Sequence, residues 1–447
     1  MDIPTLYSER CIYHFTHINN LSGLMKNGLL SNNNPSFPKE NVSIAENEIQ
    51  NRRSKMKVTC SPHGVVHDYV PLYFGSLSPM LLAVIKKKKI DQSDIIYIEF
   101  PLSIIKKYSF VFTNASANTE VPPDFFNDPK KLNHLNWDEI DSKKWSCKND
   151  TLKHQRMAEL LIKNSLPITE ATRIVVWSKE IKDKITKQSN NLDITLPEIQ
   201  VFDNFQTPHY FTDFLVNKYS SCVAGPNEVF NSYKHVIQHF KEKNNHITFK
   251  YKDIRALIDR LRVNFGDLHH TNELIGLEPE NPVHNEDVSQ HTIRVVKILL
   301  KSEKYHNLPI DYKICVEIAA YLHDIGKGPK SRWVENNGKQ KTDDKHPVRA
   351  KDMLVDIFCN QVENVSYMDV KRITFLVLYH DFFGDAMGNY WDKIGDNRSH
   401  LEIKNRFIYN YHVIDMLLAL SKADSLSLSN DWWSDEKADR LKELLIS

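Results

Sequence analysis

The 447-residue chain has little of several features that would place it in a special class of protein. Its six cysteines include no CxxC pair, which argues against a disulfide framework or a cysteine zinc site and predicts reduced thiols. Its net charge of +1 gives no global field that would attract nucleic acid or a membrane. The start lacks a basic secretory leader, and the most apolar stretch, 69–85, is interrupted by proline and glycine. We therefore expect a cytoplasmic protein with no membrane contact.

The length predicts two or three domains, and the residue patterns change along the chain. Short β-like runs at 11–15, 95–100, 173–177 and 198–202 alternate with short helical patterns, which indicates an α+β fold. Beyond about residue 212 helical patterns dominate, for example over 251–261. The polar segment 183–192 is predicted to be a loop or a hairpin end.

The string His323–Lys327 ends the apolar helical run Ile314–Leu322 and is hard to explain by packing alone. A buried histidine followed directly by a buried aspartate carries a large desolvation cost unless both groups are satisfied. A divalent metal would satisfy both, because imidazole and carboxylate suit several first-row ions and magnesium.

Further candidate ligands lie on apolar helical stripes in the same part of the chain. His291 shares a face with Val288 and Val295, and Asp424 shares one with Leu417 and Leu420. Each histidine alone could be a hydrogen-bonded core residue. Together the group favours a shared metal site formed by His291, His323, Asp324, His346, His380 and Asp424.

With these residues the segment resembles the HD-domain metal phosphohydrolases. The resemblance implies an all-helical fold that hydrolyses phosphoesters or phosphoanhydrides with a divalent metal. By position, His291, His323, Asp324 and Asp424 would hold one ion, while His346 and His380 resemble the extra ligands of two-ion HD domains. Lys327 would contact phosphate, although a solvated lysine at a helix end explains it equally well.

The first half has no glycine-rich phosphate loop and no evident nucleophile triad. Its candidates are scattered: His14 in a short strand, the pair Arg52 and Arg53, and Glu159 before an apolar run. A carboxylate at the start of a strand is usually a solvated edge residue, so spacing alone assigns no function here.

Seven strings in the first half, taken in order, resemble DarT, the family of toxins that ADP-ribosylate single-stranded DNA. They are Tyr13–Leu21, Ser43–Arg53, Val66–Phe74, Ser78–Leu81, Leu135–Ile140, Gln155–Leu161 and Pro208–Phe211. The resemblance implies an α+β ADP-ribosyltransferase fold that uses NAD as co-substrate. The acceptor would be a base in single-stranded DNA, with thymine expected.

The resemblance also implies roles for individual residues. Glu159 would stabilise oxocarbenium character on the NAD ribose, as carboxylates do in glycosidases, and would position or deprotonate the acceptor base. Arg53, with Arg52 as second choice, would contact pyrophosphate or a base oxygen. His14 and Thr16 would contact NAD. Asn20 would join that pocket, unless it only caps the following helix.

A local basic segment with nearby aromatics is the predicted DNA contact. A solvated basic loop is the alternative. The run Thr113–Asn118 is only loosely similar to the family's acceptor-side segment, which leaves the target base and its sequence context open. The residues expected to contact DNA are Lys143, Lys144, Trp145, Lys148, Lys153 and Arg156.

Together these observations predict a multidomain protein with two enzymes. We expect a DNA ADP-ribosyltransferase domain at 1–211, a helical connector at 212–275 and an HD phosphohydrolase domain at 276–447. The HD domain would restrain the transferase or process nucleotides in a toxin or defence setting, with an antitoxin as the other candidate partner. Two alternatives stay open: an HD nucleotidase or phosphodiesterase with a non-catalytic, nucleic-acid-binding first half, and two inactive binding modules.

Overall fold

The computed structural model describes residues 2–447 except 120, 193, 213–219, 244–248, 282–285, 389–392 and 408–410. The chain forms two compact units. The first contains Met1–Ile85 and Gln92–Phe211, and the second contains Lys86–Asp91 and Thr212–Ser447. The short segment Lys86–Asp91 is thus flanked in sequence by the first unit but belongs to the second.

The first unit is built around an eight-stranded sheet with the order β10-β9-β4-β1-β3-β7-β5-β6. The pair β10–β9 is parallel and the other neighbours are antiparallel. A separate antiparallel pair joins β2 and β8. The strands are β1 Cys11–His17, β2 Leu29–Leu30, β3 Tyr69–Tyr73, β4 Ile95–Pro101, β5 Phe110–Thr113, β6 Phe125–Phe126, β7 Glu159–Lys163, β8 Ser165–Leu166, β9 Arg173–Val176 and β10 Glu198–Val201.

All four predicted strands form, as β1, β4, β9 and β10. β4 is buried on both faces from Ile95 to Phe100, which explains why its sequence is apolar except for Glu99. The α-helices among the described residues of this part are α1 Leu21–Asn27, α2 Asn47–Lys55, α3 Pro79–Lys86, α4 Trp137–Ile140, α5 Asp150–Arg156 and α6 Lys179–Leu192. The α+β prediction for this part is confirmed.

The predicted loop at 183–192 is wrong, because these residues lie within α6. Ile181 and Leu192 pack against the sheet core and Ile185 is fully buried. This apolar stripe at helical spacing outweighs the polar composition of the segment.

The second unit is largely helical. Its helices are α7 Pro226–Lys241, α8 Ile254–Val263, α9 His269–Asn272, α10 Val288–Lys301, α11 Glu303–His306, α12 Ile310–Leu322, α13 His346–Asp356, α14 Tyr367–Tyr379, α15 Phe382–Met387, α16 Leu401–Lys404, α17 Tyr411–Leu428 and α18 Asp435–Ile446.

Two corrections concern β structure in this unit. A short parallel pair joins β11 Tyr251–Asp253 to β12 Val362–Asn364. The fold of this unit is therefore largely helical and not all-helical as expected. The helix predicted for 251–261 begins at Ile254, where Asp253 caps it by accepting a hydrogen bond from the Ala256 amide.

One hydrophobic core runs through the second unit and includes Val236, Leu257, Val295, Leu376 and Leu441. Residues 224–277 contribute to this core together with residues of the later helices. The boundary between a connector at 212–275 and an HD domain at 276–447 therefore stays a prediction. Within the described parts of the chain, no helix combines the length and apolarity that crossing a membrane requires.

Candidate functional sites

The first candidate site centres on a buried ion pair in the first unit. Glu159 is the first residue of β7 and is 1% exposed, and Arg53 on α2 is 8% exposed. The two terminal nitrogens of Arg53 each donate to a different carboxylate oxygen of Glu159, both at 2.9 Å. This bidentate geometry is the strong form of a charge-assisted hydrogen bond.

The surroundings of Glu159 hold its carboxylate in one position. Its Oε1 also accepts the backbone amide of Ala117 at 2.9 Å, and its own amide donates to Thr113 Oγ1 at 3.2 Å. Burial alone would lower the pKa of Arg53, but the adjacent Glu159 carboxylate outweighs it and raises that pKa. Because Glu159 is buried and bound by Arg53, the ordinary reading of Glu159 as a solvated edge carboxylate is wrong.

A cavity of about 380 Å³ lies beside this pair and is lined by His14, Thr16, Asn20, Arg53 and Tyr73 together with other residues. His14 on β1 lies with its Nδ1 2.9 Å from the carbonyl oxygen of Pro71. A carbonyl can only accept, so Nδ1 carries the proton. Burial lowers the pKa of His14, which keeps the ring neutral with Nε2 as its acceptor atom.

Asn20 shapes the cavity rather than capping a helix. Its side chain makes no capping bond to α1. Instead Nδ2 donates to Thr16 Oγ1 at 2.9 Å and to the Val42 carbonyl at 3.0 Å, while Oδ1 accepts the Val42 amide at 2.8 Å. Both amide protons are used, so Asn20 fixes the segment around Val42 against β1.

A polar cluster on the cavity wall was not predicted. Gln50 Oε1 accepts from Asn32 Nδ2 at 2.9 Å and lies 3.0 Å from His67 Nε2, and all three residues line the cavity. Gln50 and Arg53 are three residues apart on α2 and so share a helix face. That spacing was the signal in the sequence that could have identified Gln50.

The predicted DNA-contacting segment lies immediately before β7 in the chain. Lys143, Lys144, Lys148 and Lys153 are exposed, and Trp145 is half-buried with its ring 5.6 Å from that of Phe211. Arg156 differs, because it is 3% exposed and donates to the Lys144 carbonyl and to Glu139 at 3.1 Å. The structure therefore corrects the prediction for Arg156, which braces this segment instead of facing a strand.

The second candidate site is a cluster of histidines and aspartates inside the second unit. His323 and Asp324 follow α12, His346 opens α13, and His380 follows α14. His291 and Asp424 come from α10 and α17. The structure thus brings together all six predicted ligands, and all of them except His323 line a cavity of about 190 Å³.

Asp324 lies at the centre of this cluster. Its Oδ2 is 3.6 Å from His291 Nε2 and 3.4 Å from His323 Nε2, while its Oδ1 is 3.3 Å from His346 Nε2. Asp424 Oδ1 lies 3.0 Å from His291 Nε2. The two oxygens of Asp324 therefore face different histidines, His291 and His323 on one side and His346 on the other.

Each of the four imidazoles has its Nδ1 within hydrogen-bond distance of a group that is not a candidate metal ligand. His323, His346 and His380 lie with this nitrogen 2.8 Å from the carbonyls of Ala320, Asp343 and Val377, and His291 lies 3.1 Å from Ser427 Oγ. Such outer bonds fix the tautomer that leaves Nε2 for a metal. The anchoring residues are backbone or hydroxyl groups and could not be identified from composition.

The donor set fits a divalent metal. The Nε2 atoms of His346 and His380 are 3.0 Å apart, and the buried Nε2 of His323 has no hydrogen-bond partner among the described residues. Burial lowers the pKa of His323 to about 4. Burial alone would raise the pKa of Asp324, but Lys327 and the histidines hold it well below its ordinary value. Neutral imidazole and ionised carboxylate are the forms that bind metal.

Asp381 is a ligand candidate that the sequence analysis missed. Its Oδ1 lies 3.2 Å from His380 Nε2 and its Oδ2 3.7 Å from His346 Nε2. Burial alone would lower the pKa of His380, but Asp381 raises it to about 9, so a metal that bound His380 would displace a proton. The available signal was the pair His380–Asp381 at the end of an apolar helix, which repeats the pattern of His323–Asp324.

Lys327 lines the metal cavity, and its Nζ lies 2.7 Å from Asp324 Oδ2. The reading of Lys327 as a solvated helix-end residue is therefore wrong, and phosphate contact stays a prediction. Gly326, beside it, lies so close to α13 that a Cβ would be 1.9 Å from the His346 carbonyl oxygen. The glycine allows His346 to approach Asp324.

Comparisons with known proteins match both halves of the chain. Residues 13–207 match the family model of the ssDNA thymidine ADP-ribosyltransferase DarT, and residues 288–406 match the HD domain. The second match ends before Asp424.

Relatives and solved structures resemble the first half. A DNA ADP-ribosyl transferase of Thermus sp. (strain 2.9) is 34% identical over 181 residues, which are 39% of this chain and 85% of that protein. A DNA ADP-ribosyl transferase of Escherichia coli O127:H6 is 25% identical, over 38% of this chain and 82% of that protein. The structure of Thermus sp. 2.9 DarT in complex with NAD⁺ is 27% identical with a TM-score of 0.39, covering 46% of this chain and 99% of that one.

Proposed function

Because the chain belongs to the DarT family of DNA ADP-ribosyltransferases and carries an HD domain, we propose that its first unit transfers ADP-ribose from NAD to thymine in single-stranded DNA through Glu159. The observation that supports this assignment is the buried Glu159–Arg53 pair beside a cavity lined by His14 and Thr16. The family match favours this reading over a non-catalytic, nucleic-acid-binding first half.

In this reaction the bond between the ribose and the nicotinamide nitrogen breaks, and nicotinamide leaves as a neutral molecule. A bond then forms between the ribose carbon and a ring nitrogen of the base, which loses its proton. Glu159 stabilises positive charge on the ribose because its carboxylate is buried and excluded from water. An oxygen released from Arg53 or from the Ala117 amide would accept the proton of the base.

Arg53 acts on Glu159 in this account, which refines its predicted contact with pyrophosphate. Both of its terminal nitrogens are engaged by the carboxylate. Arg53 therefore holds the carboxylate of Glu159 in one orientation, and it lines the cavity at the same time. Neutral His14 offers Nε2 as an acceptor for a ribose hydroxyl, and Asn20 positions the Val42 segment that closes the cavity wall.

The exposed basic residues before β7 would bind the acceptor strand. Lys143, Lys144, Lys148 and Lys153 supply phosphate contacts, and Trp145 a stacking surface. The chain joins this segment directly to Glu159, and the Ser116 amide donates to the His154 carbonyl at 2.9 Å. The segment that contacts Glu159 through Ala117 is thus tied to the proposed DNA-binding segment.

The second unit is proposed to be a metal-dependent phosphohydrolase. His291, His323, Asp324 and Asp424 would hold one divalent ion, and His346, His380 and Asp381, with Asp324 between the two sets, would hold a second. A bound metal would lower the pKa of water and neutralise charge on phosphoryl oxygens. Lys327 is held by Asp324 at the cavity, where its ammonium group would contact a phosphate oxygen.

We also propose that the HD domain restrains the transferase in a toxin or defence setting. Met80 and Val84 on α3 line the NAD cavity, and the chain continues from α3 into Lys86–Asp91 of the second unit. There Lys88 Nζ lies 2.8 Å from Asp385 Oδ2, and the carboxylates of Asp385 and then Asp381 raise the pKa of Lys88 against the effect of burial. Val84, which lines the cavity, is therefore four residues before Lys88, which pairs with Asp385 of the second unit.

The transferase is tested with labelled NAD and a mixed-sequence single-stranded oligonucleotide, comparing wild type with Glu159→Gln and with the exposed-site control Glu180→Gln. We expect label on DNA with wild type and control, and a loss of at least a hundredfold with Glu159→Gln. Equal transfer by Glu159→Gln would remove this glutamate from the chemistry. No transfer by wild type on any oligonucleotide would refute the transferase itself.

The restraint is tested by measuring NAD affinity with and without Mn²⁺ in wild type, Lys88→Met and the control Lys106→Met. We expect Mn²⁺ to change NAD affinity in wild type and control but not in Lys88→Met, because linkage requires a connecting element. In cells, Asp324→Ala should be more toxic than wild type. Equal toxicity together with metal-independent NAD binding would refute restraint.

A further inference from the structure

A second cavity of the second unit, of about 1030 Å³, shares no lining residue with the metal cluster. It lies between α7 and α14, and we refer to it as the α7–α14 groove. Helix α14 runs from Tyr367 in the groove to the residue before His380 at the metal cluster. Tyr367 is thirteen residues before His380, which corresponds to about 20 Å along the helix at 1.5 Å per residue.

The charges that line the groove have one sign. No carboxylate lies among its described lining residues, although the whole chain is nearly neutral at +1. Such a cluster is a local anion-attracting field. The basic lining residues are Lys234, His235, His239, Lys241, Lys371, Arg372 and Arg406.

Two of these cations have side-chain partners in the second unit. Arg372 pairs with Asp369 at 3.0 Å, and Arg406 donates to Asn227 Oδ1 at 2.7 Å. Lys234, Lys241 and Lys371, in contrast, form no salt bridge with any residue in the described ranges. Three lysine ammonium groups are therefore available for anions.

Aromatic rings alternate with these lysines. The ring of Tyr367, which is 39% exposed, has Lys241 Nζ at 5.7 Å and Lys371 Nζ at 5.5 Å from its centre. Lys234 Nζ lies 4.9 Å from the centre of the half-buried Phe230 ring. Each of these rings thus offers a stacking surface beside at least one cation, which is the arrangement that single-stranded nucleic acids require.

The spacing of the lysines selects a ligand with more than one phosphate. Phe230, Lys234 and Lys241 recur at helical spacing along one face of α7, and the two lysines are about 10 Å apart along the axis. The groove also has more than twice the volume of the NAD cavity. A single nucleotide would leave most of it, and at least one lysine, without contact.

We propose that the α7–α14 groove binds a short single-stranded segment of nucleic acid. Bases stack on Tyr367 and Phe230, and successive phosphates pair with Lys234, Lys241 and Lys371. The groove is a binding site rather than a site of cleavage, because it shares no lining residue with the metal cluster.

The test uses the full-length protein and a radiolabelled single-stranded oligonucleotide that contains a photoreactive thymidine, with the crosslinked peptides mapped by mass spectrometry. We expect crosslinks within 226–241 and 367–379. The variant Lys234→Glu/Lys371→Glu should reduce them at least tenfold. The control Lys297→Glu/Lys301→Glu changes the same charge at exposed positions of α10 and should leave them unchanged.

A second variant and a competition experiment complete the test. Tyr367→Ala, at an exposed position, should reduce crosslinking at least fivefold even if the charge variant fails to fold. Crosslinks confined to the first unit, or unaffected by these variants, would overturn the proposal. Competition by thymidine monophosphate as strong as by the oligonucleotide would also overturn it, in favour of a nucleotide pocket. Because the readout is crosslinking, failure of ADP-ribose transfer would not affect it.

Discussion

Replacing Gly326 by alanine should disturb the metal cluster without touching any ligand side chain. The added Cβ would lie 1.9 Å from the His346 carbonyl oxygen and 2.9 Å from the Ala350 amide nitrogen. Both are backbone atoms of α13, which cannot rotate away as a flexible side chain could. The first turn of α13 must therefore move, and His346 moves with it.

The size of this displacement follows from the contact. A Cβ is essentially never closer than 3.0 Å to such an atom, so the two backbones must separate by about 1.1 Å. Metal–ligand distances tolerate only about 0.2 Å. We expect the ion between His346 and His380 to be lost or weakly bound. Forcing an extra carbon into a packed site should also destabilise the second unit by about 1–3 kcal/mol.

The assay combines metal content by mass spectrometry with thermal unfolding. Gly384→Ala is the matched control, because Gly384 lies inside α15 with nothing within 4 Å of a Cβ. It should keep full metal content and be neutral or stabilising, by up to about 1 kcal/mol. Gly326→Ala with unchanged metal content and stability would refute the close approach on which this account of the cluster depends.

Three further predictions concern the first unit. Arg53→Met leaves Glu159 buried without its cation and should destabilise the fold by about 3–5 kcal/mol, measured by urea unfolding, whereas a change below 1 kcal/mol would contradict the ion pair. Burial alone would raise the pKa of Glu99, but His209 and Arg173 hold that pKa below its ordinary value of 4.5. The ionised carboxylate of Glu99 therefore stabilises the fold above pH 4.5, and this stabilisation is lost as the pH falls. Urea unfolding should therefore show Glu99→Gln less stable than wild type at pH 7, with the difference shrinking toward pH 3; a constant difference would contradict this. Replacing the exposed Lys143, Lys144 and Lys148 by alanine should weaken single-stranded DNA binding. The slope of log K against log salt should become smaller by about 2, while the KM for NAD stays unchanged. An unaltered slope would exclude these lysines as phosphate contacts.

Patterns within single helices predicted the metal cluster well. His291 and Asp424 were identified because apolar residues flank them at helical spacing, and the structure brings them within 3.0 Å of each other. Asp381 was missed although it follows His380 directly and has Val377 and Leu378 at helical spacing before it. The Nδ1 anchors of the histidines come from backbone carbonyls, which sequence patterns do not reveal.

In the first unit, several side-chain pairings join residues that are far apart in the chain, and local sequence patterns could not predict them. Arg53 and Glu159 are far apart in the chain, so their pairing depends on how α2 packs against β7. Asn20 has the residue type of a helix cap, yet its side chain bonds to Val42. Arg156 sits in a basic segment like its neighbours, but it is buried against Glu139. Local composition does not distinguish a solvated cation from a buried one that binds neighbouring residues of the protein.

The most direct test of the central claim is the mass of a single-stranded oligonucleotide after incubation with NAD and the full-length protein. Two oligonucleotides would be compared, identical except that one contains a single thymine. We predict that only the thymine-containing strand gains one ADP-ribosyl group, that fragmentation places it on that base, and that Glu159→Gln abolishes the gain. Hydrolysis of NAD with both strands unmodified, or equal modification of both strands, would contradict the account.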